Sequence, residues 1–298
     1  MKHLLKLEGM PSAAMEEILA STEAIKAKRG GGEAKPLDSQ TWAMIFTKSS
    51  TRTRVSFEVG IRELGGSVMF LNANDMQLGR GEPIKDTARV LGRMVHGAVI
   101  RTFAQADVEE FAEYSGIPTI NALTDDEHPC QILTDIFTFQ ERRGPIRGKV
   151  VTYVGDGGCN VPVSWVHAAA ALDFELRIAA PSEFQPSAET LAKAGGNISC
   201  TEDIRAAVKG ADMVYTDVWV SMGMEAEAEE RLAKLAGYQI NGGLMCLAKP
   251  DALVMHCLPA YRGKEIDAET FEAHADTIFT QAENRLHTQK AILAWLAG

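Results

Sequence analysis

Short apolar runs alternate with stretches of helical period along almost the whole chain. "TWAMIF" (41–46) predicts a strand. Phe57, Ile61 and Leu64 follow at i, i+4 and i+7, the spacing of one helix face, and Gly65-Gly66 ends that helix. "SVMFL" (67–71) predicts the next strand, and Ile84, Leu91 and Val95 mark another helix. "GAVIRTF" (97–103) and "IPTINA" (117–122) predict further strands. Ile132, Leu133, Ile136 and Phe137 then make a helix face that stops at Gly144-Pro145. The rhythm restarts at "KVVTYVGD" (149–156), and "FELRIAAP", "DMVYTDVW", "ALVMHCL" and "DTIFT" read as later strands. "KRGGGEAKP" (28–36) reads as a flexible loop.

This alternation predicts an α/β protein with parallel sheets flanked by helices. The break near residue 145 divides it into two domains, residues 1–144 and 145–282, and 298 residues suit two domains of ordinary size. Ligands of such sheets bind beyond the carboxyl ends of the strands, so polar clusters at those ends carry the most weight.

Composition narrows the function classes. Hydrophobic content of 46% and charged content of 23% are those of a globular chain, not a disordered one. A net charge of -10 argues against nucleic acid as the main partner, while leaving room for a small anion in a locally basic cleft. The five cysteines, Cys130, Cys159, Cys200, Cys246 and Cys257, are odd in number and form no CxxC, which predicts a reducing, cytoplasmic setting. The first twenty residues lack the apolar core of a signal peptide. No run of about 18 apolar residues occurs, so no membrane span is expected.

The clusters at predicted strand ends are of several kinds. "SSTRTR" follows a strand and opens a helix, where unpaired N–H groups and the positive end of the dipole suit a phosphate. Ser50, Thr51 and Thr53 add hydroxyl donors, and Arg52 and Arg54 add guanidinium forks. A plain helix cap with solvated arginines is the alternative. The Walker spacing is absent, which disfavours a nucleotide P-loop. Arg101 ends "VIR", where it reaches either a ligand or solvent. "DEHPCQ" puts His128 before a helix and Gln131 in its first turn, two donors for a carbonyl oxygen, or else a packing histidine and its neighbour. His128 and Cys130 lack the second ligand pair that a metal site needs.

"VGDGGCN" (154–160) looks like a dinucleotide loop, but it closes on Asn160 instead of a third glycine, and the next strand ends "RIAAP" without a ribose-gripping acid. Asn160 suits a carboxylate or amide instead. Asp217 ends a strand in "YTDVWVSMG", with Ser221 and Met222 behind it, a set for an amino-group ligand or an ordinary Asp turn. "MHCLPAYRG" ends a strand at His256-Cys257-Leu258. Nothing local lowers the Cys257 pKa, so a ligand-contacting loop is favoured over a nucleophile. "ENRLHTQKAILAWL" (283–296) predicts a helix whose start carries Arg285. Anion donors, carbonyl donors and one amine acceptor, with no metal set and no triad, suit transfer of an activated acyl group from phosphate to an amine.

The order of "SSTRTR", "HPCQ", "DVWVSMG", "HCLP" and "ENR" resembles the aspartate/ornithine carbamoyltransferase superfamily, and "DxxxSMG" resembles its ornithine-specific branch. The similarity covers nearly the whole chain and includes "QLGRGEPIKDTARVL" (77–91). It implies a two-domain α/β fold with the active site in the cleft between domains, and a final helix, 283–298, packing back on the first. It implies carbamoyl transfer from carbamoyl phosphate to the δ-amine of L-ornithine, without cofactor or metal. Ser50, Thr51, Arg52 and Thr53 would hold phosphate, and Arg101, His128, Gln131 and Arg285 the carbamoyl group. Asn160, Asp217, Ser221 and Met222 would hold ornithine, and Cys257 and Leu258 would line the site of the acceptor amine. Arg101, His128 and Cys257 are the catalytic candidates. Gln77 would reach a neighbouring subunit's site, implying a homotrimer or a multiple of trimers. Thr47, Gly158-Cys159, Trp165 and His167 depart from the family pattern. Rivals are a carbamoyltransferase for N-acylated ornithine or putrescine, a non-catalytic carbamoyl-phosphate-binding paralogue, and an NAD-dependent oxidoreductase, which Asn160 disfavours.

Overall fold

The computed structural model describes residues 1–72, 81–221 and 225–298. In chain order the elements are α1 (Ser12–Ala27), β1 (Thr41–Phe46), α2 (Thr51–Glu63), β2 (Ser67–Asn72), α3 (Ile84–Leu91), β3 (Gly97–Arg101), α4 (Gln105–Ser115), β4 (Thr119–Leu123) and α5 (Pro129–Arg143). They continue with β5 (Val150–Val154), α6 (Asn160–Leu172), β6 (Glu175–Ala179), α7 (Ala188–Ala194), β7 (Ile198–Thr201), α8 (Ile204–Val208), β8 (Met213–Thr216), α9 (Ala228–Leu235), α10 (Gly242–Met245), β9 (Leu253–His256), α11 (Ala268–Ala273) and α12 (Ala275–Ala297). The chain forms two compact units, Met1–Phe137 with Asn284–Gly298, and Thr138–Glu283. Gly144, at φ 73°, ends α5 where the sequence punctuates, but the units divide earlier, inside that helix.

The first unit carries a parallel sheet in the order β2-β1-β3-β4. From β1 the chain crosses outward to β2, then returns to the other side for β3 and β4, so the winding reverses between β1 and β3. The second unit carries a parallel sheet in the order β7-β6-β5-β8-β9, and its winding reverses between β5 and β8. The central strands β1, β3, β5 and β8 are mostly apolar, as two-sided burial requires. β3 is buried at every position, as are β8 and β9. Phe57 and Ile61 are buried on one face of α2, with Leu64 buried at its C-cap, and Ile132, Leu133, Ile136 and Phe137 are buried on α5, as their spacing predicts.

Two segments differ from the sequence reading. "DTIFT" forms no strand; it lies in the first turns of α12. Thr277, Ile278, Gln281, Asn284, Arg285, Thr288 and Gln289 are buried at helical spacing. Most of that stripe is polar, so a pattern of hydrophobic positions hides it, and the β-branched Thr-Ile pair dominates locally. β7 is an additional strand at the sheet edge, only partly buried, so "ISCT" has too little apolar signal to stand out.

Lys290 in the first unit is fully buried, and its ammonium meets Glu33 Oε1 at 2.6 Å and Glu63 Oε2 at 2.7 Å. Burial alone would raise the Glu63 carboxyl, but its pairing with Lys290 and Arg29 outweighs that and holds it below its ordinary value. This stabilisation is present above the ordinary glutamate range and is lost as pH falls through the lowered folded value. Replacing Lys290 by Met leaves two carboxylates facing an apolar group and costs roughly 3 kcal/mol, read as a lowered urea midpoint at neutral pH.

Candidate active site

In the first unit the winding reversal brings two predicted clusters to adjacent strand ends. Ser50 is the N-cap of α2 and accepts from Thr53 N at 3.3 Å. The cap uses one lone pair of the hydroxyl and leaves its O–H as a donor, so cap and anion cradle are compatible. Thr51 and Arg52 are exposed in the first turn, and Thr53 is buried. The N–H groups of that turn have no intrahelical acceptor. Arg54 points elsewhere: its guanidinium stacks 3.8 Å from the centroid of Phe70, and Nε lies 3.8 Å from Glu58. It therefore packs and balances charge beside β2.

Arg101 ends β3 and is 8% exposed. Pairing of β3 with β4 slips between Ile100 and Arg101, an irregularity of the kind that re-aims a side chain at a strand end. Thr47 N donates to Arg101 O at 2.9 Å, which ties the ends of β1 and β3 together. Thr47 thus has a backbone role here. Lys48, which the sequence reading passed over, is also buried; it pairs with Asp125 and lies 4.2 Å from the centroid of Phe103.

His128 directly precedes α5, and its carbonyl accepts from Gln131 N at 3.1 Å. Arg285 links two predicted residues: Nη1 donates to Gln131 Oε1 and Nη2 to Thr53 Oγ1, at 2.5 and 3.3 Å. Gln131 Nε2 in turn donates to Asp135 Oδ1 at 2.8 Å. Burial, then the charges of Arg285 and Arg101, hold the His128 pKa well below its ordinary value of 6.5. The imidazole is therefore neutral at neutral pH and carries one N–H. Burial pushes the neighbouring Cys130 thiol up to about 12, and Sγ lies 3.4 Å from Asn121 O, so this cysteine is structural.

The His128 shift sets a pH dependence. Below about pH 6.5 the unfolded imidazole takes up a proton that the folded one refuses, so stability falls with pH there. Lowering the pH from 7.5 to 5.5 therefore weakens the fold through His128. His128→Gln should lose less over that interval than the parent, as urea unfolding at the two pH values would show.

In the second unit three strand ends matter. After β5, Gly155 adopts φ 127°, and a Cβ on Gly157 would lie 2.6 Å from Ile178 Cγ2. These glycines serve a tight turn and close packing, and Asn160 opens α6 directly behind them. After β8, Asp217 Oδ1 accepts from Val218 N at 2.7 Å and from the Cys257 thiol at 2.9 Å. After β9, Leu258 N donates to His256 Nδ1 at 2.9 Å, while His256 Nε2 lies 3.2 Å from Glu265 Oε1. The same carboxylate oxygen accepts from Tyr261 N at 2.6 Å. Leu258 sits at φ 61°, strained for a branched residue, and these contacts brace the turn that presents Cys257 and Leu258.

Asp217, His256 and Cys257 bring one potential ligand atom each within 4.8 Å of one another, a grouping the sequence did not reveal. Their hydrogen bonds account for the arrangement, since both His256 ring nitrogens are already engaged. Tyr153, also missed by sequence, stands among Asp156, Cys159, Asp217 and Cys257: burial first, then those four groups, push its pKa well above 10. Trp165 packs edge-on against Phe174 and Tyr215, so its departure from the family pattern belongs to the core. Gln77 and Met222 lie outside the described residues.

Each sheet thus carries its polar set beside its own winding reversal, the place where open parallel sheets bind ligands. A family model described as the aspartate/ornithine carbamoyltransferase carbamoyl-P binding domain matches residues 2–141, and its Asp/Orn binding domain counterpart matches residues 147–296. The chain belongs to the aspartate/ornithine carbamoyltransferase family. Within the family it is 54% identical to an ornithine carbamoyltransferase of Akkermansia muciniphila, covering 100% of this chain and 98% of that one. It is 51% identical to one of Methylococcus capsulatus, covering 99% and 98%. Solved family structures superpose closely. The ornithine carbamoyltransferase of Pyrococcus furiosus does so with a TM-score of 0.92 at 44% identity over 100% of this chain and 97% of that one. The anabolic enzyme of Campylobacter jejuni gives 0.93 at 42% over 99% of each.

Proposed function

We propose that this chain is an ornithine carbamoyltransferase: it moves the carbamoyl group of carbamoyl phosphate to the δ-amine of L-ornithine, giving L-citrulline and phosphate. The observation that carries this reading is the division of labour between the two winding reversals. One gathers hydroxyl, N–H and guanidinium donors fit for an acyl phosphate, and the other gathers a carboxylate, an amide and a thiol fit for an amino acid. The relatives named ornithine carbamoyltransferase support the choice of acceptor.

In this proposal Ser50, Thr51, Arg52 and Thr53 receive the phosphate at the start of α2, with Gln77 of a neighbouring subunit. Gln131 and Arg285 hold the carbamoyl group, and Cys257 and Leu258 line the site of the acceptor amine. Arg101 and His128 donate to the carbonyl oxygen. Asn160, Asp217, Ser221 and Met222 hold the α-amino and α-carboxylate groups of ornithine. The δ-amine, once it has lost a proton, attacks the carbamoyl carbon, and negative charge grows on the carbonyl oxygen. A charged guanidinium and a neutral imidazole N–H in a water-poor setting stabilise that charge without reorganising. The departing phosphate takes up the proton released by the new C–N bond, so no protein base is assigned. Holding both substrates converts a bimolecular encounter into an oriented one.

The proposal includes a homotrimeric assembly, which the mass in solution checks, and a step in arginine metabolism. It also places the chain in the cytoplasm: all five cysteines are free thiols, as a reducing compartment favours, and no described helix is long and apolar enough to cross a membrane. The test is a panel of amines supplied with carbamoyl phosphate, including ornithine, N-acetylornithine, putrescine and lysine. Ornithine should give the highest kcat/KM. Turnover of another amine without turnover of ornithine would replace the acceptor, and turnover of none would remove the catalytic reading.

A further inference from the structure

Two loops of the second unit share a buried partner that substrate contact leaves unexplained. Arg231, on α9, is 7% exposed. Its Nε donates to Trp219 O at 2.9 Å. Its Nη2 is paired with Asp156 Oδ2, and both side chains are buried. Nη1 lies 3.6 Å from Glu227 Oε2, and the guanidinium plane lies over Phe184, 4.8 Å from its centroid. The other Asp156 oxygen accepts from Gly158 N at 3.0 Å and so shapes the turn after β5. One planar cation therefore joins the turn that leads into Asn160 to the middle of the segment after β8. Trp219 stands two residues after Asp217 and two before Ser221.

Burying an ion pair yields little net stability, because desolvation offsets most of the attraction. Its fixed geometry is the more telling property. A guanidinium offers its donors in a rigid fork, so it can bind a carbonyl and a carboxylate from distant parts of the chain at once; a lysine ammonium lacks that fork. Burial raises the Asp156 carboxyl above its ordinary range and nearby Asp217 acts the same way, whereas Arg231 and the Gly158 N–H oppose them. Arg231 is thus the cation that keeps a second carboxylate tolerable beside Asp217.

We propose that Arg231 is a positioning residue for the acceptor amino acid: it locks the 156–160 turn to the 217–221 segment, so that Asn160, Asp217 and Ser221 form one fixed platform. This rests on the reading above that those residues hold ornithine. Arg231 touches no reacting atom and acts through the loops.

The test uses the full chain with Arg231→Gln, Arg231→Lys and Asp156→Asn. Without ligands, amide hydrogen exchange should quicken in both 156–160 and 217–221. In kinetics, the ornithine KM should rise about tenfold or more, while carbamoyl phosphate binding, measured calorimetrically without acceptor, should change less than about twofold. If Arg231→Gln does not fold, Arg231→Lys keeps the charge, lacks the fork and is read in the same way. Faster exchange in only one loop or neither, an unchanged KM, or an equal loss of carbamoyl phosphate binding would overturn the proposal. A parent chain that turns over ornithine beside variants with unchanged KM defeats this inference alone. A parent that does not carbamoylate ornithine defeats the functional reading, and ligand-free exchange still decides whether Arg231 couples the loops.

Discussion

Replacing Arg101 by Gln should lower kcat/KM for carbamoyl transfer by about 10²–10³, the usual consequence of removing one donor to a developing oxyanion. The expectation rests on its setting. Arg101 ends β3 beside the winding reversal, is nearly buried, and its charge is felt by His128. A buried guanidinium interacts with new negative charge far more strongly than a solvated one does. Gln keeps a polar group but loses the charge and part of the reach. The loss should appear in kcat as well as in kcat/KM, because most of the interaction arises only in the transition state. Steady-state kinetics at saturating ornithine would show it, and an unchanged kcat would remove Arg101 from the chemistry.

The second large effect belongs to Asp217. Asp217→Asn should raise the ornithine KM by about 10–150-fold, the equivalent of a charge-assisted hydrogen bond of roughly 1.5–3 kcal/mol. The carboxylate is held in place by Val218 N and the Cys257 thiol, so its direction is fixed before any ligand arrives. Asn keeps the shape but presents half the acceptor capacity and no charge to an ammonium group. Carbamoyl phosphate affinity should stay constant, because Asp217 stands in the second sheet and the phosphate donors in the first. A KM within twofold of the parent would exclude Asp217 from the acceptor site.

Local features of the chain were legible in sequence. Ser50 to Thr53, Arg101, His128 and Asp217 each follow an apolar run that reads as a strand or precede a periodic helix, so pattern alone places them at element ends. The parallel sheets follow from the same alternation. Long-range pairing was not legible. Arg285 meets Thr53 across 232 positions, and Asp156 meets Arg231 across 75. No local spacing announces such contacts. Buried polar stripes were hidden for a related reason: Gln281 and Asn284 lie inside as hydrogen-bond acceptors of His256 N and Lys26 Nζ, not through hydrophobicity, so the start of α12 read as a strand. The brace behind Leu258 depends on Glu265, whose partners His256 and Tyr261 become neighbours only when the turn folds back.

The central claim is the formation of a bond between the carbamoyl carbon and the δ-nitrogen of ornithine. It is tested most directly with ¹³C-carbamoyl phosphate and δ-¹⁵N-ornithine, followed by NMR during turnover. The account predicts a product carbonyl carbon coupled through one bond to the labelled nitrogen, appearing in step with inorganic phosphate. Phosphate release with no carbon–nitrogen coupling, or carbamoylation of the α-nitrogen, would contradict it.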